Sequence, residues 1–161
     1  MIRRAAWLAL TLLVAAVYGI LLWLGNQHIF AGDPPLPPFD IRLGYTPAEA
    51  RAYLVELHPV QAGLYAGLIR AVDTGFGVLF ALWLWLTARG LGARRAAWLA
   101  LPYLLTDLTE NALVARMLAQ GAGATDLLIQ IASAATLAKF AALAIVLIVL
   151  GQLGLRRWGH L

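Results

Sequence analysis

AAWLALTLLVAAVYGILLWL, residues 5–24, is a run of twenty residues without a charge. A helix rises about 1.5 Å per residue, so this run covers the roughly 30 Å hydrocarbon core of a bilayer. Working outward from it, the 161-residue chain repeats the signal at about residues 63–87, 96–119 and 127–151. The expected fold is all-α, a four-transmembrane-helix bundle that forms one membrane domain over residues 1–161. Composition agrees, with 62% hydrophobic and 12% charged residues. A soluble domain carries roughly a quarter charged residues, so this chain lacks the polar surface to cover itself in water.

Arg3 and Arg4 resemble the basic head of a signal peptide, but the apolar run is longer than the usual roughly 7–15 residues. No small-residue cleavage site follows, so the run reads as an uncleaved anchor. Basic residues gather at Arg3 and Arg4, at Arg89, Arg94 and Arg95, and at Arg156 and Arg157. The long first loop, about residues 25–60, mixes Arg42 and Arg51 with Asp33, Asp40, Glu49 and Glu56, and the third loop has no basic residue. The positive-inside rule therefore predicts both termini on the cytoplasmic side of a bacterial inner membrane. The formal charge of +4 and a pI near 10 come from these membrane-flanking clusters, which speaks against nucleic acid as a partner.

The chain has no cysteine, which excludes disulfides, thiolate metal sites and iron–sulfur clusters. His28, His58 and His160 fall outside the expected spans, which argues against haem or a histidine metal site within the bundle. Ser133 is the single serine and has no histidine near it in sequence. No phosphate-binding, dinucleotide-binding or metalloprotease motif occurs, and no cofactor is expected. The six tryptophans read as interface and lipid-facing residues. Gly63-x-x-x-Gly67 and Ala15-x-x-x-Gly19 read as close-packing positions between helices.

In the first loop, the proline-rich residues 33–38 predict a stiff exit from the first span. Thr46-Pro47-Ala48-Glu49 reads as a capped helix start, with the helix running to Leu57 before Pro59. Ala50, Tyr53, Leu54 and Leu57 recur at helical spacing. That pattern predicts an amphipathic helix on the outer membrane face or capping the bundle, with a lid or docking surface as the alternative.

The most informative residues are ionisable ones within the spans. Arg70 and Asp73 lie on the second, Asp107, Glu110 and Arg116 on the third, and Lys139 on the fourth. Each charge near the bilayer centre costs about 2.5–3.5 kcal/mol on insertion scales, so these groups must face the interior, trapped water or another subunit. Steps of three and four residues align Tyr103, Asp107, Glu110 and Asn111 as one polar stripe. Arg70, Asp73 and Thr74 form another.

One expectation is structural: three cations balance three anions in a network that fixes helix assembly. The other is functional. Asp107 and Glu110, one turn apart, share a proton or meet a cationic group, as candidate catalytic acids. Asp73, Asn111, Tyr103, Lys139 and Arg70 are the candidate ligand-binding residues around them.

Residues 44–50 (GYTPAEA), Leu64-Tyr65, Asp73 and Asp107-Leu108-Thr109-Glu110-Asn111 resemble an uncharacterised group of small bacterial four-span proteins. The resemblance implies a shared four-helix fold and supplies no activity. A looser likeness is to the four-span sterol isomerase and sigma-2 receptor superfamily, whose acidic residues face a sterol-like cavity. That likeness implies such parts for Asp73, Asp107 and Glu110, although this chain has no acid in its first span and no histidine in any.

Three functions follow as expectations. The first is a non-enzymatic membrane protein with a buried charge network, an accessory subunit of a larger membrane complex. The second is a binding site, or an isomerase-type enzyme, for a hydrophobic ligand that is amphipathic, sterol-like or lipid; it requires a cavity opening laterally near Asp107. The third is proton-linked transport. Apart from the lipid bilayer, the partners and the oligomeric state are not encoded legibly.

Overall fold

The computed structural model describes residues 4–158. Arg3, used above for orientation, and His160 lie outside the described residues, as does the side chain of Arg157. All regular elements among the described residues are helical. Five of them organise the chain: α1 (Arg4–His28), α2 (Pro47–Glu56), α3 (Pro59–Gly90), α4 (Ala100–Gln120) and α5 (Asp126–Trp158). Three helices (α1, α3 and α5) are long and apolar enough to cross a membrane. The fourth, α4, has 21 residues and carries Asp107, Glu110 and Arg116.

The helix ends follow from local chemistry. Thr46 caps α2: its hydroxyl accepts from the Glu49 N–H at 3.3 Å, and the Thr46 N–H donates to the Glu49 carboxylate at 2.7 Å. The Thr46 N–H, and after it the Thr46 hydroxyl at 2.8 Å, donate to the Glu49 carboxylate and hold that carboxyl below the usual range. A second capping box, His58 with Gln61, starts α3 at Pro59, four residues before the apolar run that sequence periodicity detects. The expected third span is divided into a one-turn helix Arg94–Ala97 and α4. The cause is Pro102, which lacks an N–H and whose ring crowds the Trp98 carbonyl four residues back. Gly92 (φ +83°) and Gly121 (φ +55°) supply the turn conformations that stop α3 and α4.

Packing runs α1 on α3, α3 on α4, and α4 on α5. α2 caps one end of the bundle, against the turn Gly121–Gly123 and the start of α5. Its Arg51 pairs with Asp126 and donates to the Ala124 carbonyl at 3.1 Å, and its Tyr53 hydroxyl donates to the Ile29 carbonyl at 2.7 Å. Ala50, Tyr53, Leu54 and Leu57 are all buried, so the apolar stripe of α2 faces the bundle.

Two apolar cores result. One, at the α2 end, contains Phe39, Tyr53, Tyr65, Met117 and Ile129. The other, at the opposite end, contains Leu84, Ala97, Ala100, Tyr103 and Val146. Between them along the helices lie the buried polar residues Asp107, Glu110, Asn111, Thr136 and Lys139. Trp7 and Trp83 also depart from a simple lipid-facing role. Trp7 donates to the Thr87 hydroxyl at 3.0 Å and Trp83 to the Thr11 hydroxyl at 2.9 Å, pinning α1 to α3.

Candidate functional site

The polar stripe of α4 is buried as its spacing implies, with Tyr103, Asp107, Glu110 and Asn111 all 5% exposed or less. Opposite it on α5 stand Thr136 and Lys139. The Lys139 ammonium pairs with the Glu110 carboxylate, and the Thr136 hydroxyl lies 2.5 Å from the same carboxylate. Asp107 is further off, with Oδ1 at 4.0 Å from Lys139 Nζ. Its other oxygen, Oδ2, has no hydrogen-bond partner and abuts Gly77 of α3, where a Cβ would collide with it. Glycine is therefore what allows Asp107 to seat against α3.

The balanced network of three cations and three anions is not what packing makes. Arg70 turns back to its own helix, donating to the Ala66 carbonyl at 2.9 Å, and Arg116 is exposed. Lys139 alone joins the acids. In exchange, the fold brings in one that sequence reading missed, Asp40, from the 3₁₀ turn Phe39–Ile41 of the first loop. Its Oδ2 accepts from the Tyr65 hydroxyl at 2.7 Å, and its backbone carbonyl lies 3.5 Å from Lys139 Nζ. Its Oδ1 has no partner. Burial first, then the nearby Asp73 and Glu110, push the Asp40 carboxyl up to about 7, against the opposing pull of Lys139 and the Tyr65 hydroxyl. The legible signal was an acid set between Phe39 and Ile41 behind a proline run, since apolar neighbours of that kind draw a loop residue into the core.

Asp40, Asp107 and Lys139 open onto a cavity of about 670 Å³. One wall is α1, through Thr11, Ala15, Tyr18 and Leu22. The back wall is α3, where Ile69, Asp73, Phe76, Phe80 and Trp83 recur at steps of four and three. A wider π turn at Tyr65–Ile69 precedes this stripe. The far wall is Tyr103 and Asp107 of α4 with Lys139, Phe140 and Leu143 of α5, and Asp40 closes the α2 end. α1 packs along α3 and α5 along α4, so the cavity has α1 on one side and α5 on the other.

The candidate residues thus separate. Asp73, Tyr103, Asp107 and Lys139 line the cavity. Glu110 is 1% exposed, engaged with Lys139 and Thr136, and is not part of the cavity wall, so Asp107 and Glu110 do not face one reaction space together. Asn111 lies beside Asp73 behind the wall, and its Nδ2 has no hydrogen bond of normal geometry. Arg70 is outside the site. Among the described residues, no group of histidine and carboxylate side chains is arranged to hold a metal ion.

The arrangement defines a class: a helical protein with candidate membrane spans around an acid-bearing, largely apolar cavity. No family model, curated protein or solved structure matches the chain.

Proposed function

We propose that this chain is a four-span protein of the bacterial cytoplasmic membrane, with both termini inside, whose lateral cavity binds an amphipathic hydrophobic ligand taken from the bilayer. The single observation that carries the reading is the 670 Å³ cavity with apolar walls and carboxyl groups in its lining. Ligand sites typically have about 300–1,000 Å³, mostly apolar walls and a few convergent polar groups. Entry between α1 and α5, the helices on either side of the cavity, would suit a ligand that arrives from the lipid phase, because such a molecule never has to cross water. The four-span count treats α4 as the remaining crossing: at about 1.5 Å per residue its 21 residues match the hydrocarbon thickness. Its charges Asp107 and Glu110 face inward, which is how a spanning helix carries them. The chain's likeness to small bacterial four-span proteins is part of the same proposal.

The test is to purify the chain from its native membrane and identify the lipid it retains by mass spectrometry, beside an Ala15→Phe variant that fills the cavity from the α1 wall. The wild type should carry a discrete hydrophobic molecule that the variant loses. Equal, nonspecific lipid in both would end this reading.

A second reading, the accessory subunit whose charges organise the bundle, is favoured by the Glu110–Lys139 pair. The two readings divide the acids between them: Glu110 serves assembly, and Asp73 and Asp107 serve the ligand.

A further inference from the structure

The charge inventory around the cavity points to the chemical class of its occupant; this step rests on the cavity being a ligand site. Asp40, Asp73 and Asp107 line the cavity, and Glu110 lies behind it. Lys139 is the one ammonium among them, and Glu110 already holds it. The two arginines nearest in sequence are turned elsewhere. Arg70 is bonded to the Ala66 carbonyl, and Arg42 to the Pro37 carbonyl while it packs over the Phe39 and Tyr53 rings at 5.4 and 5.2 Å. Asp107 shares that ammonium at 4.0 Å, and Asp40 and Asp73 form no ion pair among the described residues. Asp107 is 4% exposed and its Oδ2 is unpartnered, and Oδ1 of Asp40 is unpartnered as well. Buried acceptors without donors are costly, and a ligand that brings both donors and positive charge satisfies them together.

We infer that the cavity takes a cationic amphiphile, its protonated amine held among Asp40, Asp73 and Asp107 and its hydrocarbon chain directed toward Trp83. The orientation follows from the distribution of the walls. Every acid in the lining lies between the α2 end and the middle of the cavity. Beyond Asp73, α3 offers Phe76, Phe80 and Trp83, a run of about 10 Å at the helical rise. Phe76, Phe80 and Trp83 are stacked on one another at 5.4 and 5.7 Å, and Tyr103 meets Phe80 edge-on at 5.5 Å. That surface suits a chain and offers nothing to a second polar group. An anionic amphiphile would place its charge against the carboxyl groups, where like charges repel. A neutral alcohol brings one donor for the two unpartnered oxygens and no positive charge.

The experiment uses the full chain in nanodiscs of zwitterionic lipid and photoreactive oleyl amine, oleyl alcohol and oleic acid, with crosslinks mapped by mass spectrometry. The amine should label the cavity walls, Phe76 to Trp83 and α1 from Thr11 to Leu22. Unlabelled oleylamine should displace it at a concentration roughly tenfold or more below that of oleyl alcohol, as expected for hydrogen bonds to a charged group. Asp73→Asn and Asp107→Asn should each erase most of that preference while labelling by the alcohol persists, which also reports that the variants are folded. If Asp107→Asn does not fold, Asp73→Asn, at a half-buried position, carries the test. Equal labelling by all three compounds in the wild type, or a preference unchanged in the asparagine variants, overturns the cationic assignment and leaves the cavity reading standing. Failure of all three to label the cavity walls removes the ligand site itself, and the assignment with it.

Discussion

Glu110 and Lys139 form an ion pair between α4 and α5 with 1% and 10% of their side chains exposed. It sits at the level where the two apolar cores give way to polar residues. A pair so deeply buried contributes little net stability when complete, yet breaking it leaves a bare charge in an apolar interior.

Lys139→Met should therefore be strongly destabilising, by about 3–5 kcal/mol, because Glu110 loses its counter-charge. The double variant Lys139→Met with Glu110→Gln should recover much of that loss. Thermal unfolding of the four proteins in a mild detergent closes the cycle. Additive losses would show that the two residues do not act as a pair.

Gly77→Ala should destabilise by about 1–3 kcal/mol, since the added Cβ meets the Asp107 carboxylate and forces it or the helix to shift. Gly75→Ala, two residues earlier on the same helix, adds its Cβ to open space. It should be neutral or stabilise by up to about 1 kcal/mol from helix propensity. Unfolding midpoints of the two variants that move together would contradict the close approach of α3 to Asp107.

The acid that sequence reading missed predicts a pH dependence. Asp40 moves from the ordinary 3.8 to about 7 in the folded chain, mainly through burial, with Asp73 and Glu110 adding to the shift and Lys139 and Tyr65 opposing it. The folded state then binds this proton more tightly than the unfolded state. Its contribution is fully present below about pH 4 and is lost as pH rises toward 7. Asp40→Asn should flatten that part of the stability profile, measured as the unfolding midpoint against pH. An unchanged slope would mean that Asp40 is hydrated.

Thr46→Ala removes the hydroxyl of the α2 cap and should cost about 0.5–2 kcal/mol. Loss should be local, read as faster hydrogen exchange at the Glu49 amide, whose bond to the hydroxyl measures 3.3 Å. By contrast, the exposed Arg51–Asp126 pair should change stability by less than about 1 kcal/mol when Arg51 is replaced by alanine.

The parts of this fold that were legible in the sequence are those set by local periodicity. The apolar runs gave α1, α3 and α5, and the stripe from Tyr103 to Asn111 gave the buried face of α4. Thr46 and Glu49 gave the start of α2. What periodicity does not carry is distance between elements. Asp40 reaches Tyr65 and Lys139 from a loop, 25 and 99 residues away in sequence, so no helical spacing could announce it. Glu110 and Asp107 look alike as a one-turn pair, and only the positions of Lys139 and Gly77 on other helices give them different partners. Arg70 shares a polar stripe with Asp73 by spacing, but its side chain donates to the Ala66 carbonyl. The cavity itself is a property of how α1 leans on α3, and no single stretch of sequence encodes it.

The central claim is that an acid-bearing cavity lies between α1 and α5 and holds a ligand. An experimental density map of the chain in lipid nanodiscs tests it most directly. The account predicts an elongated density between the two helices, its end against Asp73 and Asp107 and its length beside Phe76, Phe80 and Trp83. A map in which α1 closes onto α5, with those aromatic side chains filling the space, would contradict it.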